Sequence, residues 1–351
     1  MRWICFSALL LTARMPVLAA PDSATVRAGL AYDSNPGGLA DSLSGNWVVR
    51  SYVSCGIDLF RFRKATGCLQ YQGGIERRLG AGSGFHSLEG TATNGLTLQL
   101  AYQAARWVRL GLEVNVKNKA VHRMTASPGY LREEAGLSVR TRLIRKVLGH
   151  LYYRHSATDY EERFTSYRAQ TVGLELQRPF RRALRLSVGV GQTELRFDRP
   201  SLHRDQTGKV SADSLGTTQE DGLSEGKAGL RLYGRILLVV DYAFQKNRSS
   251  SYGYAYQAHK LVLVATKDLP REMVGQLYGS HQWRRYQDAV AVSTEELPVD
   301  EYEHRMYIAR LSKAIIKNVE LDTQYAYKKA SNQRERFYKQ HLFAVSVDLT
   351  Y

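Results

Sequence analysis

From residue 25 onwards, apolar residues recur at every second position in short runs separated by turn chemistry. In the cleanest run, Val108, Leu110, Leu112, Val114 and Val116 alternate with Arg109, Gly111, Glu113, Asn115 and Lys117. Period two marks a strand with one apolar and one polar face. The pattern predicts sixteen strands, a count good to within two, at about Thr25–Asp33, Trp47–Phe60, Cys68–Arg77, Thr93–Tyr102, Val108–Lys117, Arg132–Leu143, Val147–Ser156, Tyr167–Gln177, Leu184–Gly191, Glu225–Tyr233, Ile236–Gln245, Gln257–Thr266, Met273–Arg284, Arg305–Ser312, Val319–Tyr327 and Phe337–Tyr351. Alternation is weakest in the segments beginning at Val147, Gln257 and Met273. The connections alternate strictly between short turns and long links rich in Gly, Ser, Asn and Asp. The longest link, Asp198–Gly222, reads as a surface loop, with an inward-folded constriction as the alternative.

A soluble sandwich would bury both faces of such strands. Here the second face carries Arg50, Asp58, Arg109, Glu113, Arg140, Glu175, Arg185, Arg231, Asp241, Arg310, Glu320, Asp322 and Asp348. Placing these charges in a dry core would cost several kcal/mol each. A closed barrel with a water-filled lumen removes that cost and leaves no unpaired strand edge in lipid. The expected fold class is therefore all-β, a transmembrane antiparallel up-and-down β-barrel of about sixteen strands, and the thirteen residues are pore-lining candidates. Bases dominate the middle of the chain and acids its end (Glu320, Asp322, Asp348); Glu113 and Glu175 break the pattern, so these read as scattered solvated wall residues, with walls of opposite sign and a transverse field as the alternative.

The chain closes on FYKQHLFAVSVDLTY, with Phe343, Val345, Val347, Leu349 and the terminal Tyr351 in phase. This segment resembles the closing strand of Gram-negative outer-membrane β-barrels, which is porin-like here in strand number. The resemblance implies that these five residues form the insertion signal read by the barrel-insertion machinery. An even strand count with short periplasmic turns and longer extracellular loops fits the same class. It places both termini in the periplasm of a cell bounded by an outer membrane. Partners expected on this reading are outer-membrane lipids, with a homotrimer or a periplasmic export partner left open.

The start, MRWICFSALLLTARMPVLAA, combines an early base, an apolar stretch and Ala19-Ala20, and reads as a signal peptide over residues 1–20. Residues 21–351 then form a single barrel domain. The exported chain keeps Cys55 and Cys68, on adjacent strands and not on one face; export permits a disulfide without requiring one.

Composition fits a membrane barrel. Mean hydropathy is −0.36, as expected where half of each strand faces water. Tyr is abundant, at 22, and suits a membrane interface with its apolar ring and wet hydroxyl. The formal charge of +16 concentrates in the short turns: Arg61, Arg63, Lys64, Arg106, Arg142, Arg145, Lys146, Arg178, Arg181, Arg182, Arg235, Lys267, Arg271, Lys313 and Lys317 face only Asp268 and Glu272. On the expected orientation this is a periplasmic basic rim. It is either a collar for anionic lipid heads or a funnel for anionic solutes. Nucleic acid is the wrong partner for that compartment.

Enzyme chemistry finds little support. GAGSG after Leu79 lacks the spacing of a G-x-S-x-G elbow. His155 and His341 fall on the lipid side without a serine, and His304 beside Glu303 is a weak carboxylate–histidine pair. The acidic stretch around Glu295, Glu296, Asp300, Glu301 and Glu303 reads as a solvated loop rather than a cation site, and no metal or cofactor is expected. The sequence reads as a channel for passive diffusion of small hydrophilic solutes with an anion preference. An exit barrel of a secretion or exopolysaccharide-export system is the alternative, and a structural or adhesive barrel stands behind that.

Overall fold

The fold was obtained as a computed structural model, which describes residues 23–34, 46–79, 90–122, 129–144, 146–161, 166–180, 183–213, 216–287, 303–331 and 337–351. The strands are β1 (Ser23–Asp33), β2 (Asn46–Arg61), β3 (Ala65–Leu79), β4 (Gly90–Ala105), β5 (Val108–His122), β6 (Tyr130–Ile144), β7 (Val147–Tyr160), β8 (Tyr167–Phe180), β9 (Leu184–Pro200), β10 (Leu202–Arg204), β11 (Val210–Ala212), β12 (Thr218–Leu232), β13 (Leu237–Ser249), β14 (Tyr256–Leu269), β15 (Met273–Tyr286), β16 (Glu303–Ile316), β17 (Val319–Ser331) and β18 (Phe337–Thr350). Each barrel strand pairs antiparallel with its neighbours, and β1 meets β18 to close the barrel. The small hairpin β10–β11 stands apart, and the remaining strands are the sixteen expected ones.

Alternation sets the two faces. Leu137, Val188, Val190 and Val345 sit at 50–63% exposure on the outside, where lipid would cover them. Their chain neighbours point to the concave side. The closing seam is pinned by the terminal residue itself: the Tyr351 amide donates to the Ala24 carbonyl at 2.8 Å, and the Ala24 amide donates back at 3.2 Å. Phe343, Val345, Val347 and Leu349 occupy outer positions of this last strand, and Tyr351, just past its end, is exposed.

Several strands run further than their alternation. β9 continues to Pro200 and β12 starts at Thr218. In this extension the pattern inverts: Leu195 and Phe197 lie on the inner side and Gln192, Glu194 and Arg196 on the outer. Above the lipid band the outer face is wet, so hydrogen-bonded ladders persist without the apolar stripe that announces a strand.

Cys55 and Cys68 are free thiols. Cys55 lies opposite Tyr71, and Cys68 opposite Asp58, so the two occupy opposite faces. In bilayers, a membrane-impermeant maleimide is expected to label Cys68 in a Cys55→Ser variant and to spare Cys55 in a Cys68→Ser variant. Labelling of Cys55 alone would invert the assignment of faces.

Candidate functional site: the inner face

The register carries all thirteen charged candidates to the inner face. Their environments divide into two sectors.

The first sector surrounds the closing seam. Arg27, on β1, donates to Asp348 from Nε at 2.6 Å and from Nη2 at 2.5 Å. Its Nη2 also reaches across β18 to Asp322 at 3.3 Å. Asp322 accepts from Arg310 Nε at 3.0 Å, from Arg310 Nη2 and from the Ser312 hydroxyl. Arg310, Asp322, Arg27 and Asp348 thus form a continuous chain over four strands. Next to it the Tyr52 hydroxyl donates to Glu76, which also pairs with Arg50 at 3.3 Å. Gly74 makes room for this ring, since a Cβ there would come within 2.3 Å of Tyr52. Tyr152 lies over Gly173 in the same way. Asp58 pairs with Arg61 at the turn rim.

This sector bears on the alternative of a transverse field. Asp322 and Asp348 are not a bare acidic wall, because Arg27 and Arg310 neutralise them. Arg27 escaped the sequence reading because β1 was recognised by its apolar positions, Val26, Ala28, Leu30 and Tyr32. Its partners are three hundred residues away and meet it only on barrel closure.

In the second sector bases face bases. Arg109 lies directly opposite Arg140, and Arg185 directly opposite Arg231. Arg185 sits 5.7 Å over the Tyr233 ring. The nearby acids have other engagements: Glu113 accepts from Gln99 at 3.4 Å and Glu175 from Gln177 at 2.8 Å. Asp241 flanks Gly229 beside Ser187. Arg109 and Arg140 border a cavity of about 380 Å³ with Asp58, Cys68 and Glu113. A second cavity of about 670 Å³ lies along the seam sector, with Arg27, Arg50, Tyr52 and Lys117 in its wall.

At the loop rim the fold supplies an inward segment, and it is not the longest link. The link from Asp198 to Gly222 is partly strand and partly the β10–β11 hairpin. In that hairpin, hydrogen bonds from the Thr207 hydroxyl and the Lys209 amide hold the Asp205 carboxyl below the usual carboxylate range. It is the short β13–β14 connection that folds over the inner face. Asn247 donates to the Tyr254 carbonyl at 3.0 Å, and the Arg199 guanidinium lies 4.3 Å over the Tyr254 ring. Arg199 also donates to Gln219, which is fully buried and donates on to Asp221. The hairpin leans on this segment through the Leu202 amide, which donates to Ser251 Oγ at 2.9 Å.

The short turns carry their bases at the opposite rim. Arg61, Arg63, Lys64 and Lys146 are exposed, and Arg178 lies 4.6 Å over the Phe180 ring. Lys146 and Arg271 hold positive φ values of 114° and 62°, a conformation in which glycine would be the easier residue. Arg145, Arg181 and Arg182 lie outside the described residues, as do GAGSG after Leu79 and the acids Glu295, Glu296, Asp300 and Glu301.

His155 and His341 occupy outer positions, and His341 Nδ1 meets the Tyr325 hydroxyl at 2.9 Å. By register His304 takes an inner position and Glu303 the adjoining outer one. Among the described residues, no three His, Cys, Asp or Glu side chains cluster for a metal.

A closed antiparallel barrel of sixteen strands, apolar outside and charged inside, defines a transmembrane β-barrel of porin architecture. Solved structures share this fold. OpdK of Pseudomonas aeruginosa, solved with vanillate, aligns over 94% of this chain and 99% of its own, with a TM-score of 0.51 and 12% identity. OccAB1 of Acinetobacter baumannii aligns over 94% and 95%, with a TM-score of 0.50 and 9% identity. At such identities the likeness is one of fold. No protein-family model matches the chain, and no curated protein matches it in sequence.

Proposed function

We propose that this chain is an outer-membrane channel for passive diffusion of small hydrophilic solutes, with a preference for anions. The observation that carries the reading is the inner face. It is lined with charged and polar side chains on every strand, and charge of this density needs water beside it. Its bases outnumber its acids. Where carboxylates approach the arginines of the seam they are matched, whereas the Arg109–Arg140 and Arg185–Arg231 pairs face one another. Net positive potential in a narrow aqueous path concentrates anions and repels cations. The basic turn rim, periplasmic on this reading, extends the same field and also suits anionic lipid heads. The outer positions of β18 serve on this reading as the insertion signal.

Liposome swelling tests passive diffusion. Proteoliposomes are expected to swell in small uncharged sugars at rates that fall with solute size and show no saturation. Swelling no faster than protein-free liposomes for every solute would refute free diffusion and favour an export barrel opened by a partner.

A further inference from the structure

We propose that the loop-side mouth of the lumen holds a binding site for short acidic oligosaccharides, built on a row of aromatic rings along the inner face of β6–β9. Such a site gives the channel a solute class, and it rests on the channel reading. The row starts at Tyr130, the first residue of β6. It runs through Tyr160, the last residue of β7, and Tyr167, the first of β8, to Phe197 near the end of β9. On the inner face Tyr130 lies opposite Tyr160, and Tyr167 opposite Phe197. Ring centres follow one another at 6.0, 6.5 and 5.7 Å. Four strands at about 4.8 Å spacing spread the row over roughly 14 Å of wall.

Geometry selects the shape of the ligand. Neighbouring rings are inclined by 64°, 39° and 47°, so no two parallel faces form a slot for one flat ring. The wall presents instead a corrugated strip of ring faces and phenolic hydroxyls. A pyranose offers a matching surface, with C–H groups on its faces and hydroxyls round its edge. A strip several rings long suits several such units in a chain.

Charge selects its sign. The next inner row towards the turn rim carries Arg132, opposite Lys117 and Thr158, and Arg154, opposite Thr171. Glu134 accepts from Arg132 Nη2 at 2.8 Å and from Arg154 Nε at 2.9 Å. One carboxylate among three bases leaves the row net positive, and the two arginine side chains stay 44% and 50% exposed. At the far end of the strip Arg199 lies 5.2 Å over the Phe197 ring. Bases so placed would pair with the carboxylates of an acidic sugar. Thr158 lies opposite both Arg132 and Tyr167. It is 2% exposed, and its hydroxyl has no hydrogen-bond partner. Such a group calls for one, and its place between the aromatic strip and the bases is where a sugar hydroxyl would lie.

The strip belongs to one wall. On β1–β5 the inner positions at the same end include Asp33, Val48, Arg78, Thr91 and Val121, and no aromatic ring stands there among the described residues. An interfacial girdle, by contrast, lies on the outer face and surrounds the barrel.

The test is isothermal titration of the whole barrel, refolded in detergent, with trigalacturonate, maltotriose, citrate and benzoate. Trigalacturonate is expected to bind about tenfold more tightly than each of the others. Maltotriose lacks the charge, and citrate and benzoate lack the chain of sugar rings. A triple variant, Tyr130→Leu, Tyr160→Leu and Tyr167→Leu, should lose the advantage over citrate. Arg132→Gln with Arg154→Gln should lose the advantage over maltotriose. Tyr278→Leu, at an inner position of β15, should keep both. If the triple variant does not fold, Tyr167→Leu alone should weaken trigalacturonate binding about threefold. Equal affinity for trigalacturonate and citrate overturns the proposal, as does tighter binding of maltotriose or benzoate, or an undiminished preference in the folded variants. Titration needs no conduction, so a conducting barrel that does not bind fails this proposal alone, and a silent barrel fails the channel reading.

Discussion

Replacing Arg109, Arg140, Arg185 and Arg231 together by Gln is expected to lower the anion-to-cation permeability ratio about tenfold, at little cost in stability. A unit charge about 8 Å from a permeating ion is worth about 0.5 kcal/mol in water. Salt at 0.15 M screens this to about 0.2 kcal/mol, opposite in sign for anion and cation, so four charges shift the ratio by about 1.5 kcal/mol. The barrel should tolerate the change because each arginine faces another across the ladder, and like charges directly opposed are unfavourable. Reversal potentials under a salt gradient measure the effect. Removing a matched pair, Lys227→Gln with Glu225→Gln, is the control and should leave the ratio unchanged, because that bridge contributes no net charge. An unaltered ratio in the fourfold variant would mean that these side chains do not line the ion path.

The second large effect concerns closure. Arg27→Ala is expected to destabilise the barrel by about 2 kcal/mol. Removing one partner of a buried ion pair costs about 3–5 kcal/mol, and the water that reaches Arg27 reduces that figure. Its side chain is 38% exposed, whereas those of Asp322 and Asp348 are 5% and 9% exposed. Asp348 also lies directly opposite Glu320. Without Arg27, two carboxylates would face each other across β17–β18, next to the seam that joins the ends of the chain. The measurement is the urea midpoint of refolded protein, followed by the gel mobility shift between folded and unfolded barrel. Arg27→Ala combined with Asp348→Asn should recover part of the loss, and Arg27→Lys should fall between, since an ammonium cannot reproduce the forked contact. An unshifted midpoint would show that the seam is held by its backbone ladder alone.

The barrel was legible in the sequence because lipid imposes a rule on every strand at once. Outer positions must be apolar and inner ones need not be, so period two survives wherever the wall crosses the apolar band. The same rule placed the thirteen candidate charges, because a residue's face follows from counting. It could not say which inner residues meet. Arg27 bridges to Asp322 over an intervening strand, and Tyr52 reaches Glu76, only through register and curvature. Outside the band the rule lapses. The upper part of β9 hides apolar Leu195 and Phe197 on the inner side, and so read as loop. Likewise Tyr254 comes to rest over the inner face through Asn247 and Arg199, contacts that the length and composition of a connection do not reveal. Weak alternation in β7 has a similar origin, since Tyr152 turns an aromatic ring inwards over Gly173.

A continuous water-filled path through this barrel is the claim on which the functional reading rests. The direct measurement is single-channel current of the refolded protein in a planar bilayer under a salt gradient. The account predicts stable open steps with ohmic conductance and a reversal potential of the sign set by anion selectivity. A barrel that is folded by gel mobility, inserts into the bilayer and passes no current would contradict it.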